Sequence, residues 1–306
     1  MANKLSVIII TYNRAADLLE LLESLNTQVE TDLWLEETLI LNNCSKESYQ
    51  SSIDYIAAHP NIKATFIDAE ANLGVAKGRN RLLERVKGNI ILSMDDDMIF
   101  TKPTDIKLLC TLFDEPFFKE ANAGVITVSV LYYSNREVQI TAFPHKNYEK
   151  YGKQSRFLTG FFAGGAHIMK TEVLAKTGLY PTDFHYGMEE YDMGYRVLDA
   201  GYTIGFDDQV ALAHKESPFG RTPNYRTFQW NWINKSKVAW RYLPFRYFLS
   251  TALLWGYQYL KISKWHLGIF FSTFVPLIKI PFTEKRKVIN KQALQYLKKV
   301  EARLMY

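Results

Sequence analysis

The sequence predicts an α/β fold with a mainly parallel central sheet, followed by a helical, basic and aromatic-rich C-terminal region. Three observations predict it. The first 120 residues alternate short apolar runs with segments of helical period, a βαβαβαβ order that implies right-handed crossovers. The fourth apolar run, Asn89–Met94, ends in three aspartates, Asp95-Asp96-Asp97. Charge and composition then change near residue 220.

Lys4–Ile10 reads as a first strand, and Ala15–Leu25 as a helix with Leu18, Leu19, Leu22 and Leu25 on one face. Thr38–Leu41 is a second strand, followed by a helix around Lys46–Ala58 that Ser45 is placed to cap. Lys63–Ile67 is a third strand, Val75–Val86 a helix, and Ile90–Leu92 the core of a buried fourth strand. Residues 125–169 are β-rich. A helix over Thr171–Thr177 is stopped by Gly178 and Pro181, and a helix over Glu189–Ala200 is capped by Gly201. Tyr202–Phe206 and Val210–His214 read as two short final strands. Beyond them, Tyr225–Leu243, Phe245–Leu260, Trp265–Ile280 and Glu284–Met305 read as helices.

With 306 residues, 47% of them hydrophobic, the chain can build one large domain or two modest ones. Two cysteines, Cys44 and Cys110, exclude a disulfide scaffold and fit a reducing compartment. The apolar run near the N-terminus is too short for a secretory signal, so a cytoplasmic location is expected. The net charge of +5 conceals an asymmetry. Residues 221–306 hold 16 Lys and Arg against two acids, while residues 1–220 hold 21 against 30. Five of the six tryptophans lie in that basic region. The expectation is therefore two parts: a catalytic domain over 1–220 and a membrane-associating helical region over 221–306. The longest charge-free runs there fall short of the ~20 residues that span a bilayer, which suits helices lying in the plane of an anionic membrane surface. A nucleic-acid partner is not expected, because the cations alternate with long apolar runs. No feature sets oligomeric state, and a homo-oligomer is allowed.

Three adjacent anions repel one another unless cations neutralise them. A strand delivers them to the carboxyl edge of its sheet, where open α/β folds bind ligands, and hard divalent cations take oxygen ligands of this kind. A second acidic group, Glu189-Glu190 with Asp192, opens a helix, where its charge is electrostatically favoured. Arg196 follows Asp192 by four residues and is spaced to pair with it.

In order along the chain, five elements resemble those of inverting family 2 glycosyltransferases of the GT-A fold, over roughly residues 5–215. They are Val7–Arg14, Leu41-Asn-Asn-Cys-Ser45, Asn72–Asn80, the aspartate triplet, and Met188–Arg196. Asn42 and Cys44 stand where that family usually has Asp and Gly. The resemblance implies a nucleoside-diphosphate sugar donor, of UDP or dTDP type, bound by Thr11, Tyr12, Asn13, Arg14, Asn42, Asn43, Asn72, Gly74, Lys77, Arg79, Asp95 and Asp96. It implies Mn²⁺ or Mg²⁺ held by Asp97 with Asp95, and Glu190 as base, with Glu189 and Asp192 positioning the acceptor or the helix. His214 either joins the metal or diphosphate or is structural. The glycines Gly164 and Gly165 with Phe161 and Phe162 resemble an acceptor-side segment, and core packing is an equal reading of the two rings. The stretch Asn231–Pro244 resembles the tail of rhamnosyltransferase-like bacterial members. No Gln-x-x-Arg-Trp follows the acidic helix, so the expected reaction is non-processive transfer to a glycan or polyprenyl-linked acceptor in cell-surface polysaccharide synthesis. Two other readings are a sugar-nucleotide nucleotidyltransferase, whose Gly-rich basic signature is missing after Ile10, and a catalytically lapsed glycan-binding subunit.

Overall fold

The computed structural model describes residues 3–184, 186–216, 224–265 and 267–304. The chain opens with β1 (Leu5–Thr11), α1 (Ala15–Asn26), α2 (Thr31–Trp34), β2 (Leu35–Asn42), α3 (Gln50–Ala58), β3 (Ala64–Asp68), α4 (Gly74–Leu83) and β4 (Ile90–Asp95). Next come β5 (Met98–Phe100), α5 (Asp105–Thr111), α6 (Pro116–Glu120), β6 (Ala123–Tyr132), α7 (Tyr148–Tyr151) and β7 (Arg156–Thr159). They are followed by β8 (Ala166–Lys170), α8 (Thr171–Thr177), α9 (Glu189–Asp199) and β9 (Thr203–His214). Among the described residues, the helices α10 (Asn224–Tyr242), α11 (Phe245–Ile262), α12 (Leu267–Thr283) and α13 (Lys291–Lys299) follow.

The strands form one sheet in the order β3-β2-β1-β4-β8-β6-β9-β5, with β7 also pairing β9. The first four are parallel, β8 runs against both β4 and β6, and β6 runs parallel to β9. The order explains where a ligand can sit. The chain moves outward from β1 through β2 to β3, then returns to the other side of β1 as β4. That reversal opens a crevice at the carboxyl ends of β1 and β4, where Ile10 lies beside Asp95 in register.

Both faces of the sheet are covered, which is why its strands read as nearly continuous apolar runs. Leu5, Val7 and Ile9 point into a core shared with α1 and α5, whereas Ile8 points into the opposite core. That second core runs without a break from Ile8, Leu39 and Ile91 through Met193 and Tyr195 of α9 to Trp232, Tyr259 and Leu297. The C-terminal helices are therefore built onto the sheet. The residue 220 division that charge suggests falls in 217–223, outside the described residues.

Three expectations are corrected. The two final strands are one, β9, in which the pairing jumps from Val128–Asp207 to Ser129–Ala211. A bulge absorbs residues 208–210, and its exposed Asp208 and Gln209 look like a gap in the apolar pattern. Ser45 does not cap α3, because its hydroxyl accepts from the Asn13 amide instead. The β-rich stretch 125–169 holds parts of three strands, β6, β7 and β8, with α7 between the first two. The last helix spans only Lys291–Lys299, with Asn290 as its cap, and Met305 is outside the described residues. Ahead of it the chain is extended: the Lys287 and Ile289 amides donate to the Arg241 and Tyr242 carbonyls at the end of α10.

One buried carboxylate ties α9 to α10. Asp192 accepts from Arg196 Nε at 2.9 Å, Arg241 Nη1 at 3.1 Å and the Tyr242 hydroxyl at 3.1 Å. The spacing of Arg196 foretells its contact, and Arg241 comes from 49 residues away. Removing the carboxylate leaves two guanidinium groups without their shared anion. Asp192→Ala is expected to lower unfolding free energy by about 3–5 kcal/mol in denaturant titration. A change below about 0.5 kcal/mol, the range of ordinary surface substitutions, would contradict this role.

Candidate active site

The crevice gathers side chains from distant parts of the chain. β4 ends at Asp95, and the three carboxylates diverge instead of sharing one site. Asp95 is the most open, with its side chain 43% exposed, and lies 3.6 Å from Arg79 Nη2. Asp96 is buried, 2.8 Å from Arg14 Nη1, and accepts from the Tyr12 amide. Asp97 is also buried, between Arg14 Nη1 at 3.1 Å and His214 Nε2 at 3.3 Å. Burial pushes the Asp96 carboxyl pKa up, and the Arg14 guanidinium opposes that shift. Asp96 thus pins the loop after β1 beneath the crevice, which corrects its expected place among donor contacts.

The loop after β1 is held from its other side too. Thr11 is fully buried and shares a hydrogen bond with the Tyr49 hydroxyl, which also accepts from the Arg14 amide. Asn13, at φ 54°, donates its amide to Ser45 and accepts from the Lys46 amide. Thr11 is therefore a positioning residue, a correction to its expected donor contact. Tyr12 and Asn13 stay half-buried at the crevice.

At the end of β2, Asn42 donates to Asp68 and accepts from the Ser45 amide. Asn43 is 4% exposed, donating to Asn72 and accepting from the Leu73 amide. Asn72 in turn accepts from the Gly74 amide at the entry to α4. This chain of amides shapes the rim, and Asn43 is consumed by it, contrary to a direct base contact. Lys77 is exposed on α4.

Arg79 is the centre of the far wall. It is 5% exposed, with Nη1 at 3.0 Å from Glu190 and 3.5 Å from Glu189, beneath the Tyr180 ring. Burial opposes its charge, but Glu190, Asp95 and Glu189 outweigh that and hold it protonated. The fork expected to meet phosphate or base here meets carboxylates. His167, beside Tyr180, is driven down to about 3 by burial, with Arg79 adding to the effect, and packs as a neutral ring.

Glu189 and Glu190 open α9 after a turn at Gly187 and Met188, both at positive φ (81° and 72°). Asn234 of α10 holds that turn by donating to the Tyr186 and Gly187 carbonyls. Glu189 is 3% exposed, and its Oε2 has no hydrogen-bond partner among the described residues. Burial first, and the neighbouring Glu190 second, push its pKa upward. Glu190 is the more open of the two, with 18% of its side chain exposed.

Gly164 and Gly165 lie directly under these acids. A Cβ on Gly164 would overlap Glu190, and one on Gly165 would overlap the Asp95 carboxyl. They make room for carboxylates, a different use from the sugar space expected. Phe162 is 1% exposed against His167 and belongs to the core, the second of its two expected readings. Phe161 is half-buried and stacked on Tyr191 with ring centroids 5.0 Å apart.

The expected metal donors converge only in part. Among the described residues no three His, Cys, Asp or Glu side chains form a metal-holding group. Asp97 and His214 do meet, and His214 Nδ1 lies 2.8 Å from Gln139 Oε1. Nδ1 thus donates to Gln139, which leaves Nε2 facing Asp97, as a donor to that carboxylate when protonated and as a ligand atom once that proton is lost. A carboxylate and an imidazole fit Mn²⁺ with phosphate oxygens and water completing its shell. Asp95 faces Arg79 in this structure. Gln139 and Tyr49, which set His214 and the Arg14 loop, carry no local motif and were not foreseen.

A sheet of this order, with acids at the β4 edge opposite an acidic helix start, defines a glycosyltransferase of GT-A type. The chain belongs to glycosyl transferase family 2, whose family model matches residues 6–178. That span takes in Arg79 and Asp95-Asp96-Asp97 and stops short of α9. The chain is 28% identical over 180 residues to an uncharacterized protein of Haemophilus influenzae, covering 58% of this chain and 94% of that one. It is 31% identical over 124 residues to the uncharacterized glycosyltransferase YwdF of Bacillus subtilis, covering 40% of this chain and 43% of YwdF. Of the solved structures it resembles, residues 1–349 of Staphylococcus aureus TarS superpose with a TM-score of 0.60 at 17% identity. That match covers 90% of this chain and 80% of that one. The Pyrobaculum calidifontis mannosyltransferase PcManGT, in complex with GDP-Man and Mn²⁺, gives 0.55 at 17%, covering 78% and 62%. At such identities the structures establish the fold.

The glycine beneath Asp95 provides a test of the crevice. In Gly165→Ala, Asp95 is expected to swing toward solvent, with little change in thermal unfolding. A misplacement of about 1 Å costs on the order of 10²-fold in turnover. Donor-sugar hydrolysis at the wild-type rate in this variant would remove Asp95 from the site.

Proposed function

We propose that this glycosyltransferase moves one sugar from a nucleoside-diphosphate donor to an acceptor hydroxyl with inversion at the anomeric carbon. The observation that carries the reading is the junction of Arg79 with Asp95 on one side and Glu189-Glu190 on the other. It brings a donor edge and a base-bearing helix, 111 residues apart between Arg79 and Glu190, into one crevice.

In this reading Glu190 takes the acceptor hydroxyl proton as the oxygen attacks the face opposite the leaving group. Its exposure relative to Glu189 supports that choice. Buried Glu189 shapes the helix start and, held with a raised pKa, limits the negative charge beside the base. Arg79 neutralises the acids across the crevice and offers its fork to the donor when one binds. Asp97 and His214 would hold a divalent cation, which compensates charge on a departing diphosphate. Asp95, open to the crevice, contacts the nucleoside side of the donor.

A UDP or dTDP sugar is the donor assigned here. TarS has been solved with UDP and with UDP-GlcNAc, and PcManGT with GDP-Man, which supports the nucleoside-diphosphate class without choosing the base. The tail resemblance supports a rhamnosyltransferase-like donor and a glycan or polyprenyl-linked acceptor, used non-processively in cell-surface polysaccharide synthesis. No helix among the described residues is long and apolar enough to cross a membrane. Peripheral work at the inner face of the cell membrane fits that finding.

The test is a nucleotide-sugar turnover screen with Mn²⁺ or Mg²⁺ on wild type and Glu190→Gln. The variant is expected to bind donor normally and lose about 10²–10⁴-fold in transfer, the range for a positioned base. Chelation by EDTA is expected to abolish turnover in wild type. Unimpaired transfer by Glu190→Gln would remove the base assignment, and unimpaired transfer in EDTA would remove the cation.

A further inference from the structure

The hairpin of α11 and α12 has two unlike faces. Its inner stripes pack on α10: Trp232 stacks on Tyr259 and Phe270 and donates its indole N–H to the Ala252 carbonyl, while Phe228 meets Trp255. The outer stripes carry apolar residues at helical spacing, and among the described residues nothing covers them. On α11, Leu249, Leu253 and Tyr257 are 45%, 68% and 48% exposed. On α12, Phe271, Val275 and Phe282 are 60%, 52% and 86% exposed. Scattered exposed apolar residues are ordinary, but two adjacent stripes of them mark an interaction surface.

The charges choose its occupant. Arg246, Lys261, Lys264 and Lys279 are exposed along the hairpin, and residues 217–283 contain no Asp or Glu. A second copy docked through this face would oppose cations to cations with no acid to pair them. Anionic headgroups over an acyl layer satisfy both features, taking apolar side chains inward and ammonium groups outward. The turn between the helices carries Lys264 and Trp265, with Trp265 59% exposed, a pairing suited to the headgroup level. Among the described residues neither helix is long and apolar enough to span.

We propose that the outward face of the α11–α12 hairpin is a lipid-docking surface that seats the enzyme on an anionic bilayer with both helices in its plane. It deepens the membrane-surface part of the proposed function, yet its test needs no turnover. The inner face of the same hairpin packs on α10, which holds the turn before Glu189-Glu190 through Asn234. Lipid contact and base placement thus share one rigid support.

The experiment is co-sedimentation of the full chain with vesicles of phosphatidylcholine, alone or mixed with phosphatidylglycerol. Binding is expected to the mixed vesicles and to weaken with salt. The double variant Leu253→Glu/Phe271→Glu, both on exposed positions, is expected to bind about tenfold more weakly at unchanged thermal stability and donor hydrolysis. In the unaltered protein, brominated lipid is expected to quench tryptophan fluorescence, a second readout should the variant misfold. Wild type that ignores both vesicle types, or a folded variant that binds as wild type does, would overturn the proposal. So would a dimer in light scattering that the double variant dissolves, which assigns the face to a second copy. Donor turnover without vesicle binding would defeat the docking surface alone, and vesicle binding without turnover would defeat the transferase reading alone.

Discussion

The site depends on the separation of three neighbouring carboxylates. Asp95, Asp96 and Asp97 leave the end of β4 in different directions, toward Arg79, toward Arg14, and between Arg14 and His214. Each meets a cationic or protonatable partner within 3.6 Å, so the triplet avoids the repulsion that a shared site would impose. The division also separates tasks. Asp96 locks the β1 loop, Asp97 sits with His214, and Asp95 alone stays open to the crevice.

The opposite wall obeys a similar rule. Arg79 is buried among Asp95, Glu189 and Glu190, and its charge is sustained by theirs. Those glutamates stay in place because α9 is clamped from the C-terminal side. Asp192 joins Arg196 to Arg241 and Tyr242, and Asn234 grips the turn at Gly187. The basic helical region is thus a structural part of the crevice as well as a surface. A family match that ends at residue 178 leaves out this clamp and the acidic helix start it holds.

Much of the fold was legible because short apolar runs and the 3.6-residue period are local patterns. Four parallel strands, the helix at Thr171–Thr177 and the acidic helix start all lie where the pattern puts them, within a few residues. What escaped depends on distant partners. Asn43 looked like a ligand group until Asn72 and Leu73 claimed its amide, and Ser45 looked like a cap until Asn13 claimed its hydroxyl. Phe161 and Phe162 are chemically alike and adjacent in sequence. Only the fold sends one into the core and leaves the other on Tyr191. Gln139 reaches His214 across 75 residues, with no motif to announce it. Pairing at i and i+4, by contrast, made Asp192–Arg196 readable, but not Arg241 and Tyr242, which turn the pair into a clamp.

The division of labour among the aspartates can be measured directly by calorimetric titration of UDP with and without Mn²⁺ into Asp96→Asn and Asp97→Asn. The account predicts that Asp97→Asn abolishes the gain in affinity that Mn²⁺ confers. Asp96→Asn should keep that gain while melting at a lower temperature, because it loosens Arg14 and the β1 loop. An equal loss of the Mn²⁺ response in both variants would contradict it, since the two carboxylates would then share one task.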